Sequence, residues 1–286
     1  MARIGVQLMM LKEQVEQDGP YETLRRLKEI GFSSVEVSQI PMTPENVAQM
    51  VRAREELGTE FAALSAVLDT PFGMPGEALN TDFDKIVADT KALGSTKLRI
   101  GMMPFDAMAS TEALIAFCHA ADAMALRLAG EGIGLYYHNH HLEFGKLDGE
   151  IMLDVIRREA PNLRFEIDVH WVQRGGKDPV RTLQRYAGLV DLVHLKDYRV
   201  GQPAPDAFGF LSKGDVAGFM GAFTNVIEFG EVGEGNLEWT EIIETAISSG
   251  AQHLLIEQDQ QYGRSPWECL QTSYDNLVAL GFERLM

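Results

Sequence analysis

Cysteine is nearly absent: two residues among 286, Cys118 and Cys269. They lie far apart in segments of helical character, so no disulfide framework is expected and a reducing, cytoplasmic setting is. Positive charge is also scarce. Lys and Arg number 25 against 42 Asp and Glu, a formal net charge of −17. Such a field repels phosphate backbones and anionic lipid, which argues against nucleic acid or a membrane surface as partner. A small anionic substrate would need local groups or a metal to reverse the field in its pocket. No apolar run is long enough to span a bilayer. The opening stretch Ile4–Leu11 is apolar but has no small-residue cleavage site and runs into charged residues, so it reads as a first strand and not as a signal core. A glycine phosphate-binding fingerprint after that strand is missing too, which argues against an open dinucleotide-binding sheet.

What the chain does have is a steady strand–helix rhythm. Strands are expected at Ile4–Met9, Val35–Val37, Phe61–Ala66, Lys97–Ile100, Ile133–Tyr137, Arg164–Asp168, Leu189–Leu195 and His253–Glu257. Between them run helical patterns with ordinary start and stop signals. Thr43 and Pro44 open one that Gly58 ends, Pro20 and Gly31 bracket another, and Gly94 and Gly250 close two more. Dividing 286 residues by eight gives about 36 per unit, the size of a βα repeat. The expected fold is α/β: a single-domain (β/α)8 TIM barrel over residues 1–286. One connection breaks the rhythm. Residues 198–236, between strand seven and its helix, are too long for a bare loop, and their phenylalanines and glycines suggest a lid or an interface insertion. Thr70–Gly76 reads as a turn-rich loop.

Barrels of this kind carry their chemistry at the C-terminal ends of the strands. Five of the seven histidines lie between His138 and His194, three of them in the run Tyr137-His138-Asn139-His140-His141-Leu142-Glu143-Phe144. On strand six, alternation turns Glu166, Asp168 and His170 inward and Phe165, Ile167 and Val169 outward. Strand seven puts His194 and Lys196 on one face. Strand eight ends at Glu257. Glu143 lies an odd number of residues past both His138 and His140, so a bulge or the strand's end must rotate it inward. Glu143, Asp168, His194 and Glu257 then form a set of three carboxylates and one imidazole. Without a cation these carboxylates would repel one another. The set suits one divalent ion, with oxygen-rich ligation favouring Mn2+ or Mg2+ over Co2+ or Zn2+.

In these residues the chain resembles the sugar phosphate isomerase/epimerase family of the xylose isomerase-like barrels. The resemblance rests on Tyr137-His138-Asn139-His140…Glu143-Phe144, Ile167-Asp168-Val169-His170-Trp171, Val193-His194-Leu195-Lys196-Asp197, Gly233-Glu234-Gly235…Trp239 and Ile256-Glu257. These run in order over about half the chain; the first half agrees in layout and in Glu36.

The resemblance implies one metal on Glu143, Asp168, His194 and Glu257. It also implies that Glu143 and Glu257 act as acid and base on a ketose through a metal-stabilised enediolate. His140 is the second candidate for the base, and Lys196 would face the developing oxyanion. Glu36, His138, His170, Trp171 and Glu231 are the expected substrate contacts. Many relatives carry His where Trp171 stands, so an indole stacked on a sugar ring or an aromatic aglycone replaces a polar contact. The plain alternative for His138 and His141 is that strand-end histidines merely satisfy backbone groups.

The expected activity is isomerisation or epimerisation of a small carbohydrate. Dehydration or lyase chemistry on a keto-sugar, an inosose or a 3-keto-glycoside uses the same enediolate and is the alternative. A non-catalytic sugar-binding protein or partner-dependent subunit stands behind both. The resemblance also implies a homo-oligomer, dimer or tetramer, or a partner subunit. The apurinic endonucleases share the architecture, but their three-metal site needs histidines on strands three and four, and the first histidine here is His119, within a helix. No basic cluster accompanies the late loops, where Arg264 and Lys213 stand alone, so an unphosphorylated substrate is favoured.

Overall fold

The computed structural model describes residues 2–70 and 76–286. Eight parallel strands close into a barrel: β1 (Arg3–Gln7), β2 (Ser34–Val37), β3 (Glu60–Ala66), β4 (Lys97–Ile100), β5 (Gly134–His138), β6 (Arg164–Asp168), β7 (Val190–Leu195) and β8 (His253–Ile256). Each pairs with its neighbours in sequence order, and β8 returns to β1 through Arg3↔His253 to Val6↔Ile256. Helices cross between successive strands, as parallel pairing requires. The TIM barrel expected from the strand–helix rhythm is the observed fold. Residues 71–75, the centre of the expected turn-rich loop, lie outside the described residues.

Local chemistry explains the boundaries. The helix Pro44–Leu57 has Pro in its first turn, the Thr43 side chain accepting from Asn46 N, and Gly58 at φ 72° beyond its end, a conformation glycine adopts without a Cβ clash. Pro266–Ala279 begins with a capping box between Ser265 and Glu268. The first strand stops at Gln7 and not at Met9, because the Gln7 side chain accepts from Met9 N and opens a 3-10 turn over Leu8–Leu11. Among the described residues no helix is long and apolar enough to cross a membrane.

The outward faces of the strands, such as Phe165, Ile167, Val193 and Leu195, join the helices in the main apolar core. Full burial of side chains this size is worth about 1.5–3 kcal/mol each. Inside the barrel, Ala62, Ala63, Tyr136, Leu192 and Leu255 form a second apolar cluster. Tyr136, Leu192 and Leu255 stand two residues before His138, His194 and Glu257, so the period of two turns each of those polar groups inward just above the apolar plug.

The long connection after β7 is a folded unit. Asp197–Val200 pairs antiparallel with Ile227–Gly230, and the helices Ala207–Ser212 and Val216–Thr224 lie between these strands. Phe208, Val216 and Phe223 are exposed on it.

Candidate active site

Four polar side chains converge at the C-terminal mouth of the barrel: His138 at the end of β5, Asp168 at the end of β6, His194 on β7 and Glu257 just past β8. One ligand atom of each lies within 4.8 Å of the others. All four are buried, His138 at 2%, Asp168 at 0%, His194 at 0% and Glu257 at 5% exposure.

Each has one polar atom held by a hydrogen bond and another that makes only charge contacts. His138 Nδ1 bonds the Gly101 carbonyl at 3.2 Å. Asp168 Oδ1 accepts from Trp171 N at 3.0 Å. His194 Nε2 faces Glu36 Oε2 at 3.3 Å and Glu166 Oε1 at 3.2 Å. Glu257 Oε1 accepts from Gln7 Nε2 at 2.9 Å. The remaining atoms, His138 Nε2, Asp168 Oδ2, His194 Nδ1 and Glu257 Oε2, are buried without a hydrogen-bond partner among the described residues. They approach one another as charge contacts that lack hydrogen-bond geometry: His138 Nε2–Asp168 Oδ2 at 3.4 Å, His194 Nδ1–Asp168 Oδ2 at 3.7 Å and His194 Nδ1–Glu257 Oε2 at 2.8 Å.

Imidazoles tied through the outer nitrogen and carboxylates tied through one oxygen are how proteins aim metal ligands. Two nitrogens and two oxygens suit a borderline divalent ion, so the residues present fit a metal.

The charges of His138, Asp168 and Glu257 agree with that fit. Burial pushes the Asp168 and Glu257 carboxyls up, but Lys196 and the neighbouring imidazoles outweigh it and hold both well below the ordinary carboxylate range. Burial lowers His138 to about 4, leaving a neutral ring with a lone pair. Burial also pushes His194 down, but Glu166, Glu257 and Glu36 raise it above its ordinary value. Lys196 Nζ sits 3.1 Å from Asp168 Oδ2, 2.7 Å from Glu257 Oε2 and 3.0 Å from Asp259 Oδ2.

Glu143, expected as the fourth ligand, is not brought into this group. After β5 the chain folds into a short 3-10 turn, Leu142–Phe144. The buried carboxylate turns back onto its own loop, where Oε1 accepts from Tyr137 Oη at 2.7 Å and Oε2 from His140 N at 3.0 Å. Burial raises its pKa. His138 takes the place instead. Its alternation with Tyr136 on β5 was the signal that could have found it.

Glu36, expected on the substrate, lies fully buried below the four groups against Arg99 and His194. His170 does not alternate inward from β6, because the strand ends at Asp168, whose side chain caps a helix over Val169–Arg174. His170 Nδ1 instead meets the Asp197 carbonyl at 2.9 Å, and its ring stacks on Phe229 at 4.6 Å. Trp171 lies between His141, stacked at 5.1 Å, and Lys196 Nζ, 5.0 Å from the ring centre. The expected stacking surface is thus already in contact with an imidazole and an ammonium, and the indole nitrogen has no partner among the described residues.

His140 stands 4.8 Å from the His138 ring and 5.4 Å from Trp171, and its Nδ1 is unpartnered. Burial lowers its pKa to about 3. Glu231 is paired with Arg264 at 2.9 Å and lies 3.9 Å from Arg199. Gln7, Arg99 and Asp259 were not singled out from sequence. Arg99 carries the same signal as its partners, a charge on the inward phase of a strand between Leu98 and Ile100.

The profile of a family, xylose isomerase-like TIM barrel, matches residues 24–277. Comparison with curated proteins finds no match. Among solved structures the chain is similar to a sugar phosphate isomerase/epimerase from Parabacteroides distasonis, at 18% identity over 97% of this chain and 98% of that one, TM-score 0.73. It is also similar to the probable 3-DHS dehydratase of petrobactin synthesis from Bacillus anthracis, at 14% identity over 97% and 99%, TM-score 0.70. A third is the 3-keto-D-glucoside 4-epimerase of E. coli, at 16% identity over 98% and 99%, TM-score 0.64. At these identities the likeness is one of fold.

Proposed function

The chain belongs to the xylose isomerase-like TIM barrel family, and from that premise we propose that it is a divalent-metal-dependent sugar isomerase or epimerase that moves a proton on the carbon next to a carbonyl. One observation carries the reading: four buried ligand atoms without hydrogen-bond partners among the described residues, on His138, Asp168, His194 and Glu257, whose other polar atoms are all tied down. A divalent ion held there, Mn2+ first among the candidates, would supply Lewis-acid polarisation of the substrate carbonyl.

The chain's own residues do the rest. His140, kept neutral by burial, takes the proton through its free Nδ1. The Lys196 ammonium, fixed by three carboxylates, stabilises the negative charge of the resulting enediolate. Asp259, the most exposed of the three at 29%, has its carboxyl raised by burial and in its acid form returns a proton, recovering one from solvent afterwards. The 198–236 segment serves as the lid of this mouth, a role supported by the Phe229 ring on His170.

The test has two parts. Elemental analysis of purified protein should find about one divalent metal per chain, and a metal-free protein of full activity would refute the mechanism. With an active ketose in D2O, deuterium should enter the carbon next to the carbonyl; turnover without exchange would point to hydride transfer. The product separates the two outcomes of one enediolate, because an isomer keeps every substituent whereas a dehydratase or lyase expels one.

A further inference from the structure

Glu166 precedes Asp168 by two residues on β6, so it faces the same barrel interior one side-chain step deeper. There it meets Glu36 of β2 and Arg99 of β4. The three come from alternate strands, as inward layers of this fold do. Glu36 and Glu166 are 0% exposed and Arg99 is 5% exposed. Nothing in the proton transfer proposed above uses them.

Glu36, Glu166 and His194 converge closely enough to hold a cation of their own. A cation is already built in. Arg99 Nε lies 2.6 Å from Glu36 Oε1 and 3.1 Å from Glu166 Oε2, and its Nη2 donates to Ser38 Oγ at 3.2 Å. A guanidinium cannot be deprotonated under ordinary conditions. It keeps two buried carboxylates together that would otherwise repel each other.

The other oxygens of those carboxylates both face His194 Nε2, at 3.3 and 3.2 Å. His138 makes do with one neutral acceptor, the Gly101 carbonyl. His194 is the ring that reaches two layers at once: below it Nε2 hydrogen-bonds Glu36 Oε2, and Glu166 Oε1 lies beside it as a charge contact without hydrogen-bond geometry. Rotating that ring to exchange its nitrogens would remove Nε2 from both.

We propose that Glu36 and Glu166, held by Arg99, are positioning residues for His194. They keep Nε2 on the lower layer so that Nδ1 faces Asp168 and Glu257, and Arg99 takes the place of a second metal. The proposal rests on the reading of the upper four residues as metal ligands. It assigns Glu36 a different task from substrate contact.

The experiment is a titration of the full chain with Mn2+, following free Mn2+ by its electron paramagnetic resonance signal. It compares the wild type with Glu36→Gln, Glu166→Gln and the double variant, and records a melting curve for each. One Mn2+ per wild-type chain is expected, with each single variant binding about 10-fold more weakly and the double about 100-fold. Unchanged affinity in folded single variants would overturn the positioning role, and these singles decide the matter if the double does not fold. Two Mn2+ per wild-type chain would overturn the role given to Arg99. No binding by the wild type of Mn2+, or of Zn2+ in a parallel titration, would overturn the metal reading itself, and the proposal with it.

Discussion

Whether His138 or Glu143 completes the metal set can be decided by two substitutions with opposite expected outcomes. The Glu143 carboxylate accepts from Tyr137 Oη at 2.7 Å and His140 N at 3.0 Å, and it is fully buried. Glu143→Gln keeps the shape but replaces one acceptor oxygen with an NH2 that meets a donor. A hydrogen bond to a charged group is worth about 1.5–3 kcal/mol. Relief of the cost of burying a charge, seen in the raised pKa of Glu143, offsets part of the loss. A net destabilisation of about 2 kcal/mol follows, which in a chain this long lowers the melting temperature by about 4 °C. Metal affinity should hardly change. His138→Gln keeps a donor for the Gly101 carbonyl but removes the ligand nitrogen, so Mn2+ binding should weaken by about 100-fold or more. Calorimetric melting and Mn2+ titration of both variants are the assay. If Glu143→Gln loses the metal while melting as the wild type does, and His138→Gln retains it, then the motif resemblance was the better guide and the reasoning from this geometry is wrong.

Three further outcomes can be checked. Lys196 Nζ contacts the same oxygens, Asp168 Oδ2 and Glu257 Oε2, that a metal would use. Lys196→Met should therefore tighten Mn2+ binding by about tenfold, through loss of a nearby positive charge, while abolishing turnover; weaker binding would refute that repulsion. Gly235 packs so that an added Cβ would stand 2.2 Å from Asp197 Oδ1, in the cradle where Asp197 accepts from Gly233 N, Gly235 N and Trp239 Nε1. Gly235→Ala should cost about 1–3 kcal/mol and speed exchange of the Gly233 amide and the Trp239 indole N–H, and native-like exchange would count against the cradle. At the other end of the barrel, burial raises the Asp191 carboxyl, but bonds from Arg164 and Tyr136 outweigh it and leave its pKa lowered. A depressed carboxyl contributes stability above its unfolded pKa of about 4 and loses it as pH falls through the folded value. Asp191→Asn should thus lower the melting temperature at pH 7 and converge with the wild type in acid; a gap that persists at pH 2 would contradict this linkage.

The strands were legible because their apolar residues recur with period two and their helices carry caps, as at Thr43 and Ser265. Asp168, His194 and Glu257 were legible for the same reason, since the end of a parallel strand fixes where a polar side chain points. Reading failed where a strand gave way to a turn. Asp168 caps the next helix and so removes His170 from the inward face, and the 3-10 turn at Leu142–Phe144 sends Glu143 back to Tyr137. Arg99 and Glu36 fell outside the expected ligand set because a charge inside a barrel has meaning only beside its partners, and these are 63 residues apart.

The sequence by itself determined the barrel, its single-domain layout and three of the four groups at its mouth, because strand periodicity and helix caps are local properties. Only the tertiary structure decided which imidazole joins them, that Glu36 lies a layer below and is paired with Arg99, and that Trp171 packs against His141 and Lys196. Those outcomes depend on which strands become neighbours when the barrel closes and on how far each side chain reaches across it. No spacing along the chain contains either quantity.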